Sequence, residues 1–211
     1  MLPNFVAATL YEIGAIQFGQ FRLKLHEKNP DAPLSPYYIN LRVLRSYPDA
    51  IDAVVDVYAA IARDLIYDLC ADVPTSATPI VTLLSHATRR PQITPRLESK
   101  SHGLTAQIDG AFSKGQRALL IDDLITTAES KIETIKVLEA HELLVAGIIV
   151  LIDREQGGMQ ALRNMGFACH CACTVTELMD SYLALGLLTA AKHAEIVNYR
   201  QSADPITSAR K

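Results

Sequence analysis

Apolar positions along the chain follow two spacings. Ile51, Val54, Val55, Tyr58, Ile61, Ala62 and Leu65 recur every three to four residues, which predicts a helix opened by Pro48. Ala118-Leu119-Leu120-Ile121 and Ala146–Ile152 are unbroken apolar runs, the pattern of strands buried on both faces. Ile132, Ile135, Val137 and Leu138 mark the apolar stripe of a helix after the first run. Asp68–Val73 and Gly166–Cys173 read as further core strands, and Gln92–Pro95 as a short one. A helix carrying Ile80, Leu83 and Leu84 follows Pro79. Strand and helix alternate, so the predicted class is α/β, a mostly parallel central sheet flanked by helices.

The ends of the chain carry other patterns. Phe5–Ile16 predicts a short helix and Phe18–Lys24 alternates like a strand. His26–Pro33 reads as an exposed polar loop, and Ser35–Arg42 as a second strand. Together they predict an N-terminal hairpin or hood. Thr174 or Thr176 can cap a helix through Leu187, Thr189 caps a final one, and Ser202–Lys211 reads as a frayed tail. The expected organisation is one domain over residues 1–211, with helix and hood in 1–45, core in 46–200 and tail in 201–211.

Composition narrows the class. At 211 residues, 49% apolar and 20% charged, the chain can bury a full core without staples. A net charge of −3 gives no electrostatic support to general nucleic-acid binding. No run approaches a membrane span, and the first residues lack a secretory pattern, so a cytoplasmic protein is expected. Cys169, Cys171 and Cys173 alternate along one strand beside His170. Zinc sites favour CxxC pairs joined by a turn, so small buried thiols are the simpler reading.

The chemistry concentrates in Arg117–Lys131. Its apolar run leads into Asp122 and Asp123, then into Thr126-Thr127-Ala128-Glu129-Ser130 and a helix. Ligands of open α/β sheets bind at the carboxyl edge of the strands, and a helix N-terminus favours phosphate. Adjacent carboxylates suit ribose hydroxyls or Mg²⁺. By spacing alone the same residues also suit ordinary helix caps. A second strand–turn–helix corner lies at Pro74–Pro79, and it fits a pyrophosphate cradle or a plain connection equally. Arg154 follows the second apolar run, where its guanidinium could grip a planar carboxylate or pair with Asp153 or Glu155. Arg96–Gly103 is polar and aperiodic. It reads as a solvated excursion, or as a loop able to fold over a polyanion.

The acidic-pair stretch resembles the motif of type I phosphoribosyltransferases that binds phosphoribosyl pyrophosphate (PRPP). Adding Phe18–Lys24, Ser35–Arg42, Val73-Pro74 and Val150–Gly158, the chain resembles the orotate phosphoribosyltransferase family from Leu10 to about Arg200. That likeness implies a type I phosphoribosyltransferase fold, and transfer of phosphoribosyl from PRPP to orotate with Mg²⁺. The products would be orotidine 5′-monophosphate and pyrophosphate, in pyrimidine synthesis. It implies that Asp122 and Asp123 hold the ribose hydroxyls, and that Thr127, Ala128, Glu129 and Ser130 cradle the 5′-phosphate. Thr126 and Arg154 would contact orotate, with Lys24, Tyr38 and Ile39 reaching the base from the hairpin. Arg96, Lys100 and His102 match the family's catalytic loop, which implies a homodimer sharing that loop. Mg²⁺ would be carried mainly by PRPP, without a dedicated set of protein ligands. A separate decarboxylase is a further implied partner, whereas nucleic acid and membrane are not.

Departures from the family pattern define the alternatives. Leu97 stands where a lysine usually follows the arginine, Ser101 replaces an aspartate, and Ala128 replaces a glycine. The turn after Pro74 lacks a lysine, and the segment between Lys24 and Ser35 is longer than usual. A non-catalytic PRPP- or nucleotide-binding protein, or a transferase for another base, are the competing expectations.

Overall fold

A computed structural model describes residues 2–23, 25–96 and 108–203. The chain forms two compact units. One spans Ile51–Cys173, and the other joins Met1–Ala50 to Thr174–Lys211.

In the order of the chain, the elements are α1 (Asn4–Glu12), β1 (Ile16–Phe21), α2 (Leu25–Lys28), β2 (Ser35–Ile39), α3 (Pro48–Ala62), β3 (Leu69–Asp72), α4 (Thr78–Thr88) and β4 (Gln92–Pro95). They continue as β5 (Ile108–Asp109), β6 (Arg117–Ile125), α5 (Glu129–Ala140), β7 (Leu144–Asp153), α6 (Gly158–Asn164), β8 (Cys169–Thr174), α7 (Val175–Ala184) and α8 (Ala190–Ala203).

The larger unit is built on a six-stranded sheet of order β5-β4-β3-β6-β7-β8. β4 and β6 both run parallel to β3, β7 runs parallel to β6, and β5 is antiparallel to β4. The apolar runs explain the centre, because Leu119, Leu120, Ile121, Ile148, Ile149 and Val150 are wholly buried. The chain leaves β3 toward β4 on one side and leaves β6 toward β7 on the other. The order therefore reverses between β3 and β6, where open α/β sheets leave a crevice at their carboxyl edge.

The smaller unit pairs β1 with β2 as an antiparallel hairpin. Tyr37 meets Tyr199 of α8 edge-on at 6.5 Å, and Phe18 meets Tyr182 of α7 edge-on at 6.2 Å. Thr174 and Glu177 form a reciprocal capping box at the start of α7. Thr189 Oγ1 accepts the Lys192 N–H at 3.2 Å, the capping expected before α8.

Several expected bounds change. The first hairpin strand runs Ile16–Phe21 rather than Phe18–Lys24, and the last core strand Cys169–Thr174 rather than Gly166–Cys173. The first helix ends at Glu12 rather than Ile16, since Gly14 takes φ 72° and Ile16 already belongs to β1. The second hairpin strand stops at Ile39, and a 3-10 helix occupies Leu41–Ser46. Within His26–Pro33 the loop is partly helical, and His26 is buried rather than exposed. Its Nδ1 accepts the Leu23 N–H at 2.8 Å, which puts the proton on Nε2 facing Ala32 O at 3.2 Å.

Candidate active site

β6 reaches further than its apolar run. It continues through Asp122 and Asp123 to Ile125, pairing Asp122 with Val150 and Ile125 with Asp153. The acids are therefore part of the strand instead of following it. Asp122 is 4% and Asp123 8% exposed. Carboxylates survive such burial only when paired and hydrogen-bonded.

Their partners come from three elements. Lys131, on the first turn of α5 and 5% exposed, forms an ion pair with Asp122 Oδ2 and donates to Leu124 O at 2.6 Å. Asp122 Oδ1 accepts the Asp123 N–H at 2.9 Å, and Asp123 Oδ1 accepts the Leu124 N–H at 2.8 Å. Tyr58 of α3 donates its hydroxyl to Asp122 O at 2.7 Å. Burial pushes the Asp122 carboxyl up to about 7, while the Lys131 ammonium pulls it back and Asp123 adds to the rise. Burial also raises the Tyr58 phenol, and Asp123 and then Asp122 push it further.

The turn after β6 runs straight into α5. Ala128 occupies the N-cap and supplies no side-chain cap, so first-turn N–H groups remain for a ligand or water. Thr126 and Ser130 are half-buried, Ala128 is buried, and Thr127 and Glu129 are exposed. Arg154 lies just past β7, and its N–H donates to Ile125 O at 3.0 Å.

The two glycines after Gln156 join these loops. Gly157 takes φ 87°, a conformation glycine adopts without strain, and heads α6. Gly158 N–H donates to Thr126 O at 2.9 Å. A Cβ on Gly158 would stand 2.5 Å from Thr126 O and 2.9 Å from Ala128 N. The motif thus clamps the Arg154 loop onto the hydroxyl turn.

Asp72 ends β3 across the crevice and is fully buried. Thr78 Oγ1 of α4 and Thr94 Oγ1 of β4 each donate to it at 2.5 Å, and Gln92 Nε2 donates at 3.3 Å. It ties the Pro74–Ala77 turn, whose Pro74–Thr75 peptide is cis, to the strand that leads to Arg96. Arg96 follows β4 and pairs with Asp109 of β5 at 3.4 Å.

Of the residues expected at the site, Asp122, Asp123, Thr126–Ser130 and Arg154 gather along one edge of the larger unit. Tyr38 and Ile39 lie on β2 of the smaller unit, with Tyr38 exposed and its ring tilted against Phe21 at 5.6 Å. Lys24, Lys100 and His102 lie outside the described residues. Lys131, Tyr58 and Asp72 were not singled out by their pattern, although Lys131 shares the Ile135 and Leu138 face. No disulfide joins the four cysteines; Cys70, Cys169 and Cys173 are buried, and burial lifts Cys70 to about 12. Among the described residues no group of three His, Cys, Asp or Glu could hold a metal ion, and no helix is long and apolar enough to cross a membrane.

An acidic strand end, a hydroxyl turn opening a helix and a reversal of strand order beside them are arranged as the resemblance to type I phosphoribosyltransferases implies. No protein-family model matches the chain. It is 32% identical over 172 residues to the orotate phosphoribosyltransferase of Pyrobaculum aerophilum, covering 81% of this chain and 86% of that one. It is 33% identical over 172 residues to the uridine 5′-monophosphate synthase of Bos taurus, covering 81% of this chain but 35% of that one. The structure of Leishmania donovani UMP synthase superposes with a TM-score of 0.81 at 31% identity, covering 93% of this chain and 41% of that one. The chain belongs to the orotate phosphoribosyltransferase family. It spans about a third of the Bos taurus relative and most of the Pyrobaculum aerophilum one.

Proposed function

We propose that the chain transfers the phosphoribosyl group of PRPP to orotate, giving orotidine 5′-monophosphate and pyrophosphate in pyrimidine synthesis in the cytoplasm. The observation that carries this reading is the clamp of Gly158 on Thr126, which holds the Arg154 loop against the phosphate-sized turn beside Asp123.

In this reaction the bond from orotate N1 to C1 forms as the C1–oxygen bond to pyrophosphate breaks, and the N1 proton is released to pyrophosphate or solvent. The bonding pair leaves with pyrophosphate, and positive charge builds on the ribose. Carboxylate charge beneath the ring stabilises that state, and the dry rim strengthens the effect. The N–H groups of the first turn of α5, with Thr127 and Ser130, receive the 5′-phosphate. Arg154 receives the orotate carboxylate, with Thr126 beside it, and Lys24, Tyr38 and Ile39 approach the base. Arg96, Lys100 and His102 meet the pyrophosphate, as the family resemblance implies.

The residues fit a Mg²⁺ that arrives on PRPP better than one resident in the protein, because Asp122 is already engaged by Lys131. When bound, Mg²⁺ neutralises pyrophosphate oxygens during departure. A homodimer that shares the loop, and an association with a separate decarboxylase, complete the proposal.

The test follows orotate absorbance with purified protein, PRPP and Mg²⁺. Orotate should be consumed only when both are present, and Asp123→Asn should lose at least about a hundredfold in kcat/KM while remaining folded. Absence of turnover at saturating PRPP would refute the transferase. The buried Ala128 at the N-cap of α5 supports a second reading, PRPP binding without turnover. Calorimetric binding of PRPP by a protein that consumes no orotate would favour it.

A further inference from the structure

Asp122 and Asp123 are adjacent in sequence and opposite in the sheet. Successive strand side chains leave opposite faces, so Asp122 shares a face with Ala118 and Leu120. Those two pack in one cluster with Ile135 and Leu138 of α5. Lys131 lies one turn before Ile135 on the same helix face, and its ammonium meets Asp122 Oδ2. The other Asp122 oxygen accepts the Asp123 N–H. Both oxygens are thus engaged within the protein. Asp123 shares the opposite face with Leu119 and Ile121. Its Oδ1 accepts the Leu124 N–H, and its Oδ2 has no partner among the described residues.

We propose that the acidic pair is divided in labour: Asp123 takes the ribose hydroxyls, and Asp122 is a positioning residue, engaged inside the sheet by Lys131. Asp122 then acts through the Asp123 N–H, fixing the strand end from which Asp123 meets the sugar. Lys131 is its counter-ion and also secures Leu124 O, the next link of the same strand end. The buried pair tolerates joint neutralisation far better than loss of one member, because a single removal leaves the other charge buried and uncompensated. This assignment rests on the PRPP reading above.

The experiment compares wild type, Lys131→Met, Asp122→Asn/Lys131→Met and Asp123→Asn by thermal denaturation and by calorimetric titration with PRPP. Lys131→Met should lower Tm by at least about 8 °C, and adding Asp122→Asn should recover at least half of that loss. Asp123→Asn should keep its Tm within a few degrees and weaken PRPP binding at least tenfold. The double variant should bind PRPP at least threefold more tightly than Asp123→Asn. A double variant that regains no Tm would overturn Lys131 as the counter-ion. A folded double variant binding as poorly as Asp123→Asn would make Asp122 a ligand and overturn the division. A wild type that binds no PRPP would refute the reading beneath it, together with the role given to Asp123. The Tm arm would still decide the pairing.

Discussion

Lys131 stands where the stripe of Ile135 and Leu138 calls for an apolar side chain, and it carries a charge there because Asp122 faces it. A lone carboxylate at that depth would shed its charge, and Lys131 opposes this. The expected titration follows. The Asp122 carboxyl, up at about 7 in the folded chain, lies above its ordinary unfolded value of about 3.9. Its contribution favours the native state below about pH 4 and is lost as pH rises through about 7. The Tm of wild type relative to Asp122→Asn should therefore fall between about pH 4 and 7. Carboxyl-carbon NMR should place the Asp122 midpoint higher still in Lys131→Met; an unchanged midpoint would contradict the pairing. Asp68 behaves oppositely. Hydrogen bonds from the Arg117 side chain and N–H hold its carboxyl well below the usual range. That contribution is present above about pH 4 and fades as acid is added. Lys131 was legible in principle, because residues 131, 135 and 138 share one helix face. A lysine there signals a buried partner, but the apolar run stops at Ile121, which hides that partner.

At the scale of elements, bounds set by apolar pattern alone were readable and bounds set by polar contacts were not. β4 occupies Gln92–Pro95 as its residues predict, and α3 begins at Pro48 as its proline predicts. β6 ran past its apolar core because ladder bonds to β7 and the Lys131 pair carry it across two acids. The helical turn after β1 escaped notice because His26 organises it through backbone groups. Two joints between elements make specific predictions. Gly158→Ala puts a methyl against Thr126 O and should cost about 1 to 3 kcal/mol in urea denaturation. It should also weaken orotidine 5′-monophosphate binding; unaltered stability and affinity would contradict the clamp. Asp72→Ala leaves the Thr78 and Thr94 hydroxyls without their acceptor and should cost about 2 to 4 kcal/mol. Asp72→Asn should recover part of that, and equal losses in the two variants would argue against the hydrogen-bonded hub.

For the whole molecule, alternation of strand and helix was enough to predict a mostly parallel sheet. The sheet bears this out through the order β4-β3-β6-β7, with the acidic pair and Arg154 beside the reversal. The grouping of Thr174–Lys211 with the N-terminal hairpin unit had no signature in local pattern. It depends on contacts such as Tyr37 with Tyr199, about 160 residues apart, which no short window can register. A Mg²⁺ carried by its substrate predicts that EDTA stops turnover without lowering the Tm of the ligand-free protein, and that added Mg²⁺ restores it. A fall in that Tm on chelation would point instead to a resident metal. The most direct measurement is a crystal structure with orotidine 5′-monophosphate. The phosphate should meet the N–H groups of residues 127–130, the ribose hydroxyls Asp123, and the base carboxylate Arg154. A nucleotide bound away from that edge, or with its base at the 126–130 turn, would contradict the account.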